Sequence, residues 1–248
     1  MKRQRIRLAL AAFVVVACVA CNGSPGRPAP HSEVIPPDQI LEFNVLYAQN
    51  CAGCHGTGEN GGAAIALRDT VFLAIADDAA IRRAAANGVH GTAMPAFAQS
   101  AGGMLTDKQI DALVSGIRSW AQSGLLRGTN PPPFAAKTPG DPRRGAEVFQ
   151  TFCSSCHGSD GTGRNKASSI VDASYLALVS DQHLRTIVMV GRPELGAPDW
   201  RADVPGRPLS DQEITDVVAW LASQRVPNPG QPYPDPKDAQ HKEHHDVD

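Results

Sequence analysis

The chain is poor in aromatic residues and has no excess of positive charge. Phe, Trp and Tyr together make up 5% of its 248 residues, and 23 Lys plus Arg stand against 25 Asp plus Glu, a formal charge of −2. Domains of about a hundred residues with so few large side chains need another group to fill their cores. The charge balance also argues against nucleic-acid binding, which requires a basic surface.

Cysteines for structural disulfides are lacking as well. Four of the six cysteines lie in two copies of one pattern, Cys-x-x-Cys-His, at residues 51–55 and 153–157, and the other two, Cys18 and Cys21, lie near the N-terminus. No further Cys or His stands near either copy, which argues against a zinc site. No βαβ pattern surrounds the copies, which argues against a thioredoxin-like dithiol.

The Cys-x-x-Cys-His pattern is the attachment site of c-type haem. Its two thiols add across the porphyrin vinyl groups, and the adjacent histidine becomes the proximal iron ligand. The residues concerned are Cys51, Cys54 and His55 in the first copy and Cys153, Cys156 and His157 in the second. The sequence therefore predicts two covalently bound haems, whose porphyrins would also fill the two aromatic-poor cores.

The N-terminal segment predicts export. Basic residues precede an apolar run from Leu8 to Ala20, which is typical of an export signal rather than a membrane span. The end of the run resembles a bacterial lipoprotein lipobox, in which a cysteine receives acyl chains. Cys21 is favoured because it begins a polar tether rich in Gly, Ser and Pro, and Cys18 is the alternative. The alternative is an ordinary cleaved signal peptide, which would give a free periplasmic protein.

The rest of the chain divides into two halves in which the same elements recur in the same order. In each half a helix leads into the haem segment, with Tyr47 and Phe149 at equivalent positions, and an amphipathic helix closes the half. The predicted organisation is an export signal at 1–20, a flexible tether at 21–36, a first domain at 37–122, a linker at 123–140, a second domain at 141–225 and a disordered tail at 226–248.

These features, over nearly all of both halves, resemble tandem class I cytochrome c domains. The resemblance implies an all-α fold for each half, with an N-terminal helix, the haem segment, a loop that carries a distal methionine, and a packed C-terminal helix. At family level the chain also resembles the dihaem cytochromes of bacterial respiratory and sulfur-oxidising chains.

In that family the distal iron ligand is a methionine on a loop, often followed by proline. Met94 in Thr-Ala-Met-Pro fits this description and is the candidate for haem 1. Met104, beside two glycines before the last helix, is the competitor, although a methionine there more often packs in the core. His90 is expected to be a solvated loop residue.

The second half departs from the family pattern, because Ala197 stands where Met94 stands in the first. The distance from Gly88 to Met94 and from Gly191 to Ala197 is 6 residues in both cases. An alanine methyl cannot ligate iron, so three alternatives are open for haem 2. They are an open or water-ligated iron, Met189 from the preceding helix, or a histidine, which would be His183, His241, His244 or His245.

The predicted function is transfer of single electrons on the periplasmic side of the membrane, with a quinol-oxidising complex, a dehydrogenase or a terminal oxidase as partners. The alternative is a dihaem enzyme, peroxidase-like or thiosulfate-oxidising, with haem 2 as an open catalytic centre. Peroxide chemistry needs an acid or base beside the open site; Glu194 lies in the second loop, but nothing in the sequence singles it out. Trp200 and Arg201 are candidates for contact with a propionate or the haem edge; otherwise Trp200 packs on the final helix and Arg201 is solvated.

Overall fold

The computed structural model describes residues 35–58, 60–163, 167–202, 204–227 and 229–230. The chain divides into two units, Met1–Gln39 and Ile40–Asp248. The described residues of the first unit include a short 3-10 helix, Pro37–Gln39. The predicted export signal with Cys18 and Cys21, and the histidines of the predicted tail, lie outside the described residues.

The regular structure of the second unit is helical over the described ranges, and its two halves repeat one order of helices. The first half contains α1 (Phe43–Asn50), α2 (Ala52–His55), α3 (Thr70–Ile75), α4 (Asp78–Asn87) and α5 (Asp107–Arg118). The second half contains α6 (Pro142–Phe152), α7 (Ser154–His157), α8 (Ala173–Leu178), α9 (Asp181–Val190) and α10 (Asp211–Ser223). No described helix is both long and apolar enough to cross a membrane. The predicted all-α fold is confirmed.

The closing helix of each half begins at a capping box, at the residues that the sequence indicated. Thr106 Oγ1 accepts a hydrogen bond from Gln109 N, and the Gln109 side chain accepts one from Thr106 N. Ser210 and Glu213 form the same reciprocal pair at the start of α10. Each box satisfies two backbone N–H groups that the start of a helix would otherwise leave without a partner.

Buried apolar side chains from both halves belong to one connected cluster. It includes Leu46, Phe72 and Ile110 from the first half and Phe149 and Ile214 from the second. Removal of such side chains from water is the main favourable contribution to folding. Because the cluster is continuous, each half stabilises the other.

The predicted linker, residues 123–140, contacts both halves of the chain through Phe134. The ring of Phe134 lies 6.4 Å from the ring of Phe72 in the first half, at an edge-to-face angle of 67°. The Phe134 carbonyl accepts a hydrogen bond from Gln182 Nε2 in α9, at 2.8 Å. The linker therefore contacts both halves at this residue.

Candidate haem sites

Each attachment segment lies where a longer helix gives way to a single helical turn. Cys51 ends α1, with its N–H donating to the Tyr47 carbonyl, and Cys54 lies in the following turn, α2. The second half repeats this arrangement with Cys153 after α6 and Cys156 in α7. The first cysteine of each pair is half-buried and the second is exposed, and all four are free thiols. Thiols placed in this way are available for thioether formation.

The two histidines are oriented by backbone carbonyls. His55 Nδ1 donates to the Ile65 carbonyl at 2.8 Å, and His157 Nδ1 donates to the Ser168 carbonyl at 3.0 Å. In both residues Nε2 is left as the metal-binding nitrogen, and the hydrogen bond fixes the tautomer and the ring plane. Burial lowers the pKa of His55, although the Ile65 carbonyl opposes this, so the imidazole is kept in the neutral form that binds iron. The residues present therefore fit a c-type haem at each segment.

Tyr47 secures the first attachment segment from the side of α1. Its hydroxyl donates to the Gly56 carbonyl at 2.7 Å, and its ring meets Trp120 edge-on with centroids 5.1 Å apart. At the equivalent position Phe149 has no hydroxyl, and its ring stacks on Trp220 at 4.3 Å. A side-chain hydrogen bond from this position to the attachment segment is thus made by Tyr47 and not by Phe149.

Met94 lies half-buried in a loop whose shape is set by short-range hydrogen bonds. Its N–H donates to Thr92 Oγ1 at 3.1 Å, and its carbonyl accepts from Val89 N at 3.0 Å. Met104 is 83% exposed, so the expectation that it packs in the core is wrong. The neighbouring Leu105 is buried instead, which leaves Met104 on the outer side of the loop. His90 is exposed, as expected.

Ala197 occupies the same place in the second loop as Met94 does in the first. Gly88 and Gly191 both have positive φ, 64° and 75°, and a Cβ on either would lie 2.7 Å from the carbonyl oxygen of Met94 or Ala197, respectively. The Ala197 carbonyl accepts from Arg192 N at 2.9 Å, which matches the bond from Val89 N to Met94. The two loops therefore share one backbone arrangement, and the difference between them lies in the side chain.

Two of the other candidates for haem 2, Met189 and His183, lie on α9, the helix before this loop. Met189 is 0% exposed and belongs to the apolar core cluster. His183 lies near the start of α9 and is half-buried. Its pKa is lowered to about 4, mainly by burial and to a smaller extent by the charges of His55 and Arg192.

The charged and aromatic residues of the second loop pair with one another. Trp200 is buried, and the Arg201 guanidinium lies 5.1 Å from its ring centroid. Arg201 is not merely solvated, because its Nη2 lies 2.6 Å from Asp199 Oδ2. Glu194 Oε1 lies 2.5 Å from Arg192 Nε. The Glu194 carboxylate is therefore engaged in an ion pair.

Comparison with known families identifies the class of protein. Residues 38–115 match the family described as cytochrome C oxidase, cbb3-type, subunit III, and residues 142–225 match the family described as cytochrome c. The chain is a dihaem c-type cytochrome built from two tandem cytochrome c domains, and it binds two c-type haems. Residues 38–115 and 142–225 are named domain 1 and domain 2 below.

More particularly, the chain is similar to subunits of cbb3-type oxidases. It is 31% identical over 186 residues to the cbb3-type cytochrome c oxidase subunit FixPc of Rhizobium leguminosarum bv. viciae, a match that covers 70% of this chain and 57% of the relative. It is 32% identical over 136 residues to the FixP subunit of Azorhizobium caulinodans, covering 52% and 41%. The chain thus spans less than two thirds of the length of these relatives. A solved reducing HAO-like protein complex of Kuenenia stuttgartiensis is 19% identical with a TM-score of 0.42, over 75% of this chain and 96% of that one.

Proposed function

We propose that this cytochrome carries single electrons on the periplasmic side of a bacterial membrane, between respiratory-chain or dehydrogenase partners. When bound, each haem supplies a one-electron iron couple. The observation that carries the proposal is the repeated arrangement of His55 and His157, each following a pair of thiols and each bonded through Nδ1 to a backbone carbonyl. Ligands held in this way change little in position between oxidation states, which suits electron transfer.

For haem 1 the proposed attachment residues are Cys51 and Cys54, and the proposed axial ligands are His55 and Met94. The hydrogen bond from Met94 N to Thr92 Oγ1 supports this assignment, because it fixes the backbone that carries the Met94 side chain. A methionine ligand raises the reduction potential. With both axial positions filled, the site favours electron exchange over substrate binding.

For haem 2 the proposed attachment residues are Cys153 and Cys156, with His157 as the proximal ligand. The distal loop contributes no ligand, because Ala197 takes the place of the methionine. Met189 is the second candidate for this position, and ligation by it would draw its side chain out of the core cluster. We therefore propose an open sixth position and a lower potential than that of haem 1.

The proposed partners are a quinol-oxidising complex, a dehydrogenase or a terminal oxidase. Support for the last comes from the printed descriptions of the relatives as cbb3-type cytochrome c oxidase subunits. A lipid anchor on Cys21, or on Cys18, would hold the exported chain at the membrane surface. Mass spectrometry of the N-terminal peptide of the mature protein tests this, since diacylglycerol attachment adds a defined mass to one cysteine.

The second candidate function is a dihaem enzyme, peroxidase-like or thiosulfate-oxidising, in which haem 2 is the reactive centre. It is favoured by the same replacement, Ala197 for a ligating methionine. The ion pair between Glu194 and Arg192 weighs against it, because a carboxylate engaged in this way is poorly placed to move protons. Turnover with peroxide or thiosulfate distinguishes the two functions.

The decisive experiment is an absorption spectrum of the dithionite-reduced holoprotein before and after addition of CO. We expect CO to shift the bands of one haem of the two in the wild type. Ala197→Met should abolish the shift, and the reciprocal variant Met94→Ala should extend it to both haems. Absence of a shift in the wild type would overturn the open position at haem 2 and leave Met189 or a histidine as its ligand.

A further inference from the structure

Domain 2 forms hydrogen bonds to two loops of domain 1 that adjoin the proposed ligands of haem 1. On one side Ala93 N, next to Met94, donates to the Leu178 carbonyl of domain 2 at 3.1 Å. On the other side Arg192 Nη2 of domain 2 donates to the Gly62 carbonyl at 3.2 Å. The first loop carries the proposed distal ligand, and the second follows the proximal histidine.

The loop at Gly62 lies directly on the attachment segment. A Cβ built on Gly62 would lie 2.6 Å from the Cys54 carbonyl oxygen, and Ala64 N donates to the same oxygen at 3.0 Å. Arg192 therefore binds a piece of chain that contacts the second thioether position. The two bonds from domain 2 therefore reach the loop that carries Met94 and the loop that follows His55, which we call the distal and proximal rims of the haem 1 site.

Arg192 is well suited to hold this contact. Its side chain is 18% exposed, and its Nε is paired with Glu194 in the same loop, which directs the guanidinium and leaves Nη2 for the Gly62 carbonyl. A guanidinium donating to several acceptors in one plane holds a fixed geometry better than a flexible ammonium does. At the equivalent position in domain 1 the residue is Val89, which has no polar side-chain atom.

Other groups show that the second loop lies close to domain 1. The carboxylates of Glu194 and Asp199 raise the pKa of Asp69, the residue that caps α3, in addition to the larger effect of burial. The charge of Arg192 also reaches Tyr175 and His183 on the same side of domain 2. The second loop therefore lies within electrostatic range of the α3 cap in domain 1.

The matching rim of domain 2 has a different environment. Gly196, which corresponds to Ala93, donates its N–H to Pro193 within its own loop, at 3.1 Å. The adjacent Leu195 is 70% exposed. The two loops therefore differ in where this N–H donates: Ala93 N bonds across the interface, and Gly196 N bonds within its own loop.

We propose that Arg192 and the Leu178 carbonyl hold domain 2 against both rims of the haem 1 site, the Met94 loop and the loop at Gly62. Protein redox partners then do not reach haem 1 from that side. The exclusion of redox partners rests on the proposed function in electron transfer. The docked domain is part of the same chain, so the arrangement exists at any protein concentration. Arg192 acts as a positioning residue, since it holds the chain around the haem and not the haem itself.

Amide hydrogen exchange of the reduced holoprotein, resolved residue by residue, tests the docking. In the wild type we expect protection of the Ala93 N–H, whose acceptor lies across the interface. Arg192→Ala should raise the exchange rate of Ala93 about tenfold, as for the loss of one hydrogen-bonded contact, while Arg192→Lys should restore part of the protection. The Val89 N–H, which donates to Met94 within the loop, should keep its rate and so report that the loop itself is intact.

Arg201→Ala is the matched control, because its guanidinium is paired with Asp199 inside domain 2. It should leave the exchange of Ala93 unchanged. Wild-type exchange of Ala93 at the rate of an unprotected amide would overturn the docking even if no variant folds. Unchanged exchange in Arg192→Ala would overturn the role of Arg192.

The shielding is tested by oxidation of the haem that does not bind CO. For each protein two oxidation rates of this haem are measured, one with a soluble c-type cytochrome and one with a small inorganic oxidant. The ratio of the first rate to the second is compared between wild type, Arg192→Ala and Arg192→Lys. We expect the ratio to rise severalfold in Arg192→Ala, and an unchanged ratio would overturn the shielding. Failure to exchange electrons with either oxidant would instead overturn the proposed function, and it would leave the amide result standing.

Discussion

Gly116 of α5 lies against the ring of Phe43 in α1, so closely that a Cβ on Gly116 would fall 2.0 Å from Phe43 Cδ2. In the second half the two sizes are exchanged: the glycine, Gly145, is on the first helix and the large residue, Trp220, is on the closing helix. A Cβ on Gly145 would lie 2.8 Å from Trp220 Cβ and 2.0 Å from the Asp216 carbonyl oxygen. Each half thus brings its two main helices together through one glycine and one aromatic residue.

This difference predicts that Gly145→Ala is more destabilising than Gly116→Ala. At Gly116 the obstacle is an aromatic side chain, which can rotate, whereas at Gly145 it includes backbone. We expect Gly116→Ala to lower the free energy of unfolding by about 1–3 kcal/mol, with a larger loss for Gly145→Ala. Urea unfolding of the holoprotein measures both. Equal losses at the two positions would contradict the prediction.

The sequence was sufficient to predict the helical order, the capping boxes and the equivalence of Met94 with Ala197. These features depend on local chemistry and on spacing, which are fixed along the chain. The bonds from Leu178 and Arg192 to domain 1 could not be predicted, because they involve backbone groups. A backbone carbonyl or N–H is present in every residue and carries no sequence signal.

Two arginines were missed for a related reason. Arg118 at the end of α5 pairs with Asp78 and donates to the Leu73 and Ala76 carbonyls. Arg225, beyond the end of α10, makes the equivalent contacts, which are to Asp181, Leu176 and Val179. When the halves are aligned on their capping boxes, Arg118 matches Ala222 and not Arg225. Long side chains reach the same acceptors from different backbone positions, so comparison by register does not reveal them.

A further pair of arginines, Arg82 and Arg185, does match in register but differs in burial. The Arg185 side chain is 2% exposed and donates to Thr215 Oγ1 at 3.0 Å and to the Pro133 carbonyl at 2.8 Å, in addition to an ion pair with Asp211. We expect Arg185→Ala to cost about 3 kcal/mol, because it leaves buried acceptors without a donor. Denaturant unfolding of the holoprotein measures the loss.

The matched variant is Arg82→Ala. Arg82 is 37% exposed and pairs with Asp107 and Asp111, which are more exposed still. An exposed pair of this kind contributes below about 1 kcal/mol, and less at high salt. A loss at Arg82 as large as that at Arg185 would contradict the assignment of Arg185 as a buried anchor. Arg185→Lys should fail to restore stability, since an ammonium cannot reach the same set of acceptors.

Tyr47 predicts a change in stability at high pH. Burial raises the pKa of Tyr47 from 10.0 to about 12, with a smaller contribution from Cys51 that thioether formation would remove. The folded state therefore holds the phenolic proton more tightly than the unfolded state does. The corresponding stability is complete below pH 10 and is lost as the pH rises toward 12. Unfolding measured across this range should show a steeper decline for wild type than for Tyr47→Phe, and parallel curves would contradict the prediction.

His183 predicts a loss of stability at low pH. Burial lowers the pKa of His183 from 6.5 to about 4, with smaller contributions from the charge of His55, which iron ligation would remove, and from that of Arg192. Because the unfolded state binds the proton more readily, the corresponding stability is complete above pH 6.5 and is lost as the pH falls to about 4. His183→Gln should flatten this part of the unfolding curve, whereas His90→Gln, a substitution at an exposed loop residue, should not. If both variants follow the wild-type curve, the acid sensitivity originates elsewhere and burial of His183 does not determine it.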